Sequence, residues 1–229
     1  MLFSDPRRAP AQTIACELRD YPEWHRGRTR YAVWMLPVEC PQILARLQRA
    51  QQHLGDWLHQ GYRRQAHITL FVCGFPAEQA RFDDDFPLAR LAAQQQAVRE
   101  LGIAPFELHI GGLDSFASAP FLTVSDPAGR LDALRTVLAA HSPEIRQSDY
   151  HAHLTVGLYV RSVPRVSVQR QLAAFAEGDP LPLTVKELHF CTYAASELFG
   201  PLRMERQLAL SGYSPASAGR VPAHSPRRP

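Results

Sequence analysis

The chain of 229 residues is short of several features that would place it at once. Its four cysteines, Cys16, Cys40, Cys73 and Cys191, lie far apart with no C-x-x-C pair. Neither a zinc ribbon nor a dense disulfide framework fits, and reduced, mostly buried thiols are expected. Long apolar runs are missing too: Met1 is followed by no stretch of signal-peptide length, and nowhere are there the roughly 18 consecutive apolar residues of a membrane span. A cytoplasmic protein without membrane attachment is the expectation. The sequence has no Gly-rich phosphate loop, no dinucleotide fingerprint and no G-x-S-x-G elbow, so no cofactor is expected and serine-hydrolase chemistry has no support.

Charge of one sign is scarce in the body of the chain, although the total is +3. Arg7 and Arg8 against Asp5 give residues 1–12 a charge of +1, and Arg220, Arg227 and Arg228 give 212–229 a charge of +3, which leaves −1 for residues 13–211. Such a body does not resemble a protein that tracks a long duplex by neutralising many phosphates; a nucleic-acid substrate should be small or contacted at few phosphates. Both ends read as disordered, 1–12 from prolines and arginines without periodicity and 212–229 from Pro, Ser, Gly and Ala. The expected folded unit is a single domain over 13–211. No obligate protein partner is evident, and a monomer is expected.

What is present in that unit is an alternation of strand and helix patterns. Tyr31 to Pro37 reads as a buried strand, and Pro41 opens a helix to about His59 with Ile43, Leu44, Leu47, Leu54 and Leu58 as its apolar stripe. A strand from about Ala66 to Cys73 and a helix near Phe86 to Leu101 follow. Strands at Phe106 to Ile110 and Pro120 to Val124 are separated by Gly111-Gly112 and a polar turn. Asp126-Pro127 has the form of a helix start, with the helix running to about His141. A strand at about Tyr150 to Val160, a helix from about Val166 to Ala176 and strands at Val185 to Tyr193 and Leu202 to Leu210, joined by a loop at Ser196 to Pro201, complete the body. Short links between strand pairs argue for antiparallel or mixed sheets, hence an α+β fold.

One pattern occurs twice: Ala66-His67-Ile68-Thr69-Leu70 and Ala152-His153-Leu154-Thr155-Val156. On a strand, side chains two apart leave the same face, so His67 points with Thr69 and His153 with Thr155, while Ile68, Leu70, Leu154 and Val156 point the other way. By composition alone about 0.35 such H-x-T triplets are expected in a chain like this one. Two halves, each a strand, a helix and a strand bearing the motif, suggest a pseudo-duplicated body with the motif strands facing one another across a central cleft.

These motifs and their setting resemble the 2H phosphoesterase superfamily, in particular its bacterial 2′-5′ RNA ligase-like and 2′,3′-cyclic phosphodiesterase branch. The likeness extends to the Tyr31 to Pro37 strand before a long helix, to Phe71 to Gly74 after the first motif, and to the closing strand, Gly200-containing turn and final strand. The chain departs from many relatives in having His151 where they have proline, and in lacking an aromatic residue directly before His67. The resemblance implies a bilobal fold of two mostly antiparallel sheets flanked by helices. It also implies phosphodiester chemistry on a nucleotide or RNA end, with His153 as base and His67 as acid.

The residue types suit that chemistry on their own account. Opening a phosphodiester needs a base for the attacking hydroxyl or water and an acid for the departing oxygen; two imidazoles near pKa 6.5 supply both without metal. Thr69 and Thr155 can donate hydroxyl hydrogen bonds to the non-bridging oxygens as their charge grows. Tyr62 and Tyr150 are candidates for stacking on a base, and Arg63, Arg64 and Arg161 for contacting phosphate. His151 shares a face with His153 and would make an H-x-H metal pair, but no further ligand cluster completes a zinc site, and no metal is expected. Two other readings stay open on the sequence: a nucleotide-binding module without turnover, and a zinc-dependent hydrolase built on His151 and His153.

Overall fold

The computed structural model describes residues 1–146 and 149–212. A short helix α1 (Pro22–His25) precedes strand β1 (Arg30–Pro37), helix α2 (Pro41–Leu54), a 3-10 turn (Gly55–Trp57) and β2 (His67–Ala77), which carries the first motif. β3 (Asp85–Pro87), α3 (Leu88–Leu101), the hairpin of β4 (Phe106–Ser115) and β5 (Pro120–Ser125), and α4 (Arg130–Ala139) lead to β6 (His153–Thr155), the second motif. The described chain closes with α5 (Arg165–Ala174), β7 (Leu181–Val185), β8 (Glu187–Ala194) and β9 (Arg203–Ala209). The expected disordered tail lies, from residue 213 on, outside the described residues.

The α+β reading holds, and the sheet shows how the two halves relate. Eight strands run in the order β7-β4-β5-β6-β2-β1-β8-β9, with every neighbouring pair antiparallel; β3 lies off this path, parallel to β2. Two four-stranded antiparallel halves therefore meet at the β6–β2 junction and curl into a half-barrel. A single register pair, Ile68 opposite Leu154, joins them. The motif strands come together side by side at this seam, not across a gap.

Apolar alternation explains the layering. Ala32, Trp34 and Leu36 of β1, Ile68 and Leu70 of β2, and Leu154 are buried on one face against α2, α3 and α4. From α2 that core takes Ile43, Leu47, Ala50 and Leu54, whereas Leu44 stays exposed. In the middle of this layer the Trp34 indole N–H donates to Gln94 Oε1 at 2.8 Å, and Gln94 Nε2 donates to the Leu138 carbonyl at 3.0 Å. One buried amide thus ties β1 and α4 through α3.

Several local expectations are corrected. Gly111-Gly112 is not a turn; β4 runs through it as a bulge, with the register slipping between Ile110 and Leu113. The buried Arg46 guanidinium caps the Ile110 and Gly111 carbonyls there, at 2.9 and 3.3 Å. Helix α4 starts at Arg130, three residues after Pro127, yet Asp126 Oδ2 still accepts the Leu131 N–H at 2.7 Å. The second motif strand is only three residues long, because past Thr155 the chain's N–H groups go to separate partners, Val156 to Pro120 and Val160 to Trp57. Strand β7 was not expected as a separate element; it pairs along β4.

Residues 1–12, expected to be disordered, are packed onto the body. Phe3 is fully buried against Val163 and Val168, its N–H donates to Ser115 O at 3.0 Å, and Ser4 Oγ donates to Asp114 at 2.6 Å. Composition weighs prolines and arginines, whereas one aromatic anchor with satisfied backbone partners is enough to dock the segment.

Candidate active site

The antiparallel register fixes the geometry of the motifs. With Ile68 opposite Leu154, His67 lies opposite Thr155 and Thr69 opposite His153, and all four side chains leave the face away from the core. Two strands thus present a quartet of two imidazoles and two hydroxyls, the histidines on a diagonal whose typical span is about 7–8 Å. On the far side of β6, Thr123 lies opposite His153 and Phe121 opposite Thr155.

Both imidazoles are oriented in the same way. His67 Nδ1 lies 2.7 Å from the Gln65 carbonyl, and His153 Nδ1 lies 2.6 Å from the His151 carbonyl. A carbonyl oxygen only accepts, so Nδ1 carries the hydrogen in each ring and Nε2 keeps its lone pair for the open side. The carbonyl two residues before each histidine thereby sets its tautomer. The segment before His67 is braced in turn: the Gln65 amide exchanges hydrogen bonds with the Leu202 backbone at 3.0 and 2.8 Å, and Arg64 donates to the Gly200 and Leu198 carbonyls, both at 3.1 Å.

His67, Thr69 and His153 open into a pocket of about 170 Å³, lined also by Tyr31 and Val33 of β1, Val72, Tyr193, Leu202, Arg64 and Arg146, whereas Thr155 is not part of its lining. Tyr31 and Tyr193 are packed ring to ring at 5.6 Å, and the Arg64 guanidinium lies 4.0 Å over Tyr193. His153 stands edge-on to Phe116 at 5.0 Å and tilted against Phe121 at 5.4 Å. Larger cavities exist, one of about 450 Å³ between Pro37, Cys40 and Pro182–Glu187, but none described brings two imidazoles together.

These surroundings shift both histidines toward the neutral form. Burial is the main cause at His67, where the Arg64 and His153 charges add to it against the Gln65 carbonyl, and the pKa is pulled down to about 4. Burial likewise lowers His153, opposed by its carbonyl partner and reinforced by Arg146 and His151. Half-buried imidazoles beside fixed cations give up their protons readily.

The other expected site residues divide. Arg64 lines the pocket. Tyr150 supports it from outside: its hydroxyl donates to the Thr69 carbonyl at 3.2 Å and its ring lies under Arg135, at 3.8 Å. His151 contributes its carbonyl, while its exposed side chain lines a separate cavity beside Asp126 and Asp132. Tyr62 packs on Phe199 at 5.3 Å and lines another cavity with Gln51 and Val156. Arg63 pairs with Glu197 at 3.4 Å and Arg161 with Asp56 at 2.9 Å, both exposed and outside the pocket. Tyr62, Arg63 and Arg161 thus lie near the motifs in sequence but are not among the residues that line this pocket. Among the described residues, no three His, Cys, Asp or Glu side chains gather as a metal-binding group, so His151 and His153 do not find a third ligand there.

Arg146, Tyr31 and Tyr193 were missed. Tyr31 and Tyr193 carry a weak signal, since they alternate with core residues on apolar strands. Arg146 lies outside any periodic segment and carries none.

Comparison with known proteins agrees with this fold. The described fold resembles Escherichia coli LigT in its apo form, with a TM-score of 0.56 at 14% identity over 81% of this chain and 99% of that one. It resembles E. coli LigT complexed with 3′-AMP at 0.55, with 16% identity over 80% and 98%, and the Thermus thermophilus protein TT0787 at 0.52, with 15% identity over 80% and 100%. Comparison with curated protein sequences returns no match. The sequence pattern of the 2′-5′ RNA ligase superfamily matches residues 23–197, a span that runs from before β1 to beyond β8 and contains both motifs. With that pattern matched over most of its length, the chain belongs to the 2′-5′ RNA ligase superfamily.

Proposed function

We propose that the protein is a metal-independent phosphoesterase that opens 2′,3′-cyclic phosphate ends or cleaves 2′-5′ linkages of a nucleotide or RNA. The observation that carries this reading is the pair of imidazoles at the β2–β6 seam, each with Nδ1–H on a carbonyl, and both lining one pocket together with Thr69. Family membership supports phosphodiester chemistry, and a relative complexed with 3′-AMP supports a nucleotide in this cleft.

In the cyclic case, water adds to phosphorus as the bond to one ribose oxygen breaks. Neutral His153 takes the proton from the water through Nε2, and protonated His67 delivers a proton from Nε2 to the departing oxygen. The product is a phosphomonoester on the other ribose oxygen, and the two imidazoles have exchanged protonation states. Thr69 and Thr155 donate to the non-bridging oxygens. Reversal of these steps is ring closure with loss of water, with the roles exchanged; a ribose 5′-hydroxyl in place of water as the nucleophile would instead open the ring to a 2′-5′ linkage.

The test is a screen of 2′,3′-cyclic nucleotides, 2′-5′ dinucleotides and short RNAs, with the phosphate position of each product identified. On any accepted substrate, His67→Ala and His153→Ala should each lower kcat by on the order of 10²–10⁴-fold, and the double variant by far less than the product of the two. With a nitrophenolate leaving group, which departs without protonation, His67→Ala should recover much of its rate while His153→Ala stays impaired. No turnover of any substrate, or activity abolished by chelation and restored by zinc, would sink the proposal.

A further inference from the structure

Strand β6 pairs with β2 only at Ile68, so the backbone of β2 beyond that point needs other partners. Arg135, Glu144, Ile145 and Tyr150 supply them. Tyr150 Oη donates to Thr69 O at 3.2 Å, Arg135 Nη1 to Leu70 O at 2.6 Å and Ile145 N to Val72 O at 3.1 Å, while Glu144 Oε1 accepts the Val72 N–H at 3.0 Å. The covered stretch includes the bulge where β2 slips against β1, between Phe71 and Thr69.

This cover delivers a guanidinium to the pocket. Glu144 is gripped by Arg135 Nη2 at 2.7 Å through one carboxylate oxygen, and its other oxygen accepts from Arg146 Nε at 3.1 Å. Arg135, the Val72 N–H and Arg146 outweigh burial and keep the Glu144 carboxyl ionised below its usual range. Arg146 also lies 5.3 Å over the Tyr150 ring, and it lines the pocket together with His67, Thr69 and His153. Arg64 lines it too, but spends Nε and Nη2 on the Gly200 and Leu198 carbonyls.

We propose that Arg146 binds the reacting phosphoryl group and meets its growing negative charge, and that Glu144 and Arg135 are positioning residues that hold its guanidinium in place. The assignment rests on the phosphoesterase reading. Threonine hydroxyls are neutral donors, and both imidazoles favour the neutral state in the free protein, so a fixed charge at the non-bridging oxygens must come from elsewhere. A guanidinium bond to phosphate is charge-assisted and about twice as strong as a neutral one. One locked by a carboxylate costs little reorganisation as the reaction proceeds.

The experiment uses the full chain and two readouts, turnover of a 2′,3′-cyclic nucleotide and calorimetric binding of inorganic phosphate. Arg146→Ala should lower kcat by about 10²–10³-fold, weaken phosphate at least about tenfold, and regain activity on added guanidinium ion. Arg146→Lys, which keeps the charge but not the fork, should fall in between and not respond to guanidinium. Glu144→Gln retains an acceptor for the Val72 N–H; it should lower kcat about tenfold with KM nearly unchanged, a split that a purely structural role would not produce. Arg146→Ala with kcat within threefold of the wild type overturns the proposal, and Glu144→Gln that alters only thermal stability overturns the positioning role. If the wild type turns over neither a 2′,3′-cyclic nucleotide nor a 2′-5′ dinucleotide nor a short RNA, the phosphoesterase reading fails by itself. Phosphate binding then decides this assignment: loss in Arg146→Ala supports it, and unchanged binding overturns it.

Discussion

The Gln65 and His151 carbonyls do for the two imidazoles what a carboxylate does in many other sites: they fix which nitrogen carries the hydrogen, without adding charge. The consequence is a pair lowered by burial and nearby cations against the opposing pull of those carbonyls. Both pKa values lie below the ordinary 6.5. At pH 7 the free protein therefore holds both rings neutral, and the form with one ring charged grows as pH falls. We expect kcat/KM to be bell-shaped and to peak below pH 6.5, both limbs belonging to the pair. Arg64 is one of the charges that lowers His67, so Arg64→Ala should shift the profile upward in pH. A kcat/KM optimum above pH 7, or a profile unmoved in Arg64→Ala, would contradict this account. The same shifts bear on stability. Between about 4 and 6.5 the unfolded chain binds more protons at His67 than the folded one. The stability this contributes is full above pH 6.5 and is lost as pH falls toward 4.

At the scale of elements, the site depends on how the flanking helices lock the strands beneath it. Gln94 on α3 is fully buried and spends both ends of its amide, on the Trp34 indole of β1 and on the Leu138 carbonyl of α4. Gln94→Ala would strand both partners in the core and open a cavity. A cost of about 3 kcal/mol is expected, read as a lower midpoint in urea unfolding. A midpoint unchanged from the wild type would mean that water or repacking replaces the amide. Elements were legible in proportion to their regularity. β1, α2 and α3 were readable because Trp34, Leu36, Ile43 and Leu47 repeat at strand or helix spacing. The Gly111-Gly112 bulge was not, because glycine pairs mark turns and bulges alike; what decides is whether Arg46, sixty-odd positions away, caps the exposed carbonyls.

At the scale of the whole molecule, the chain's beginning is part of the fold. Phe3 fills a satellite cluster with Val163 and Val168, and residue 12 bridges Pro164 at the start of α5. Phe3→Ala should lower stability by about 3 kcal/mol, measurable by thermal or urea unfolding, while leaving kcat unchanged in the folded fraction. An unaltered melting curve would show that the segment docks without contributing stability. Among the described residues, no helix is long and apolar enough to cross a membrane. The sequence by itself determined the two H-x-T strands, the side on which each imidazole and hydroxyl emerges, and the α+β class, because all of these follow from spacing within a few residues. Only the tertiary structure decided that Ile68 meets Leu154, that Gln65 and His151 orient the rings, and that Arg146 and Tyr193 complete the pocket. The strand pairing and the pocket lining join residues far apart in the chain, and the Gln65 and His151 carbonyls, only two residues from their imidazoles, are aimed by the backbone path into each strand. The pairing and the lining are set by strand register and by which backbone groups are left to be satisfied once the sheet has formed, and no local pattern encodes either.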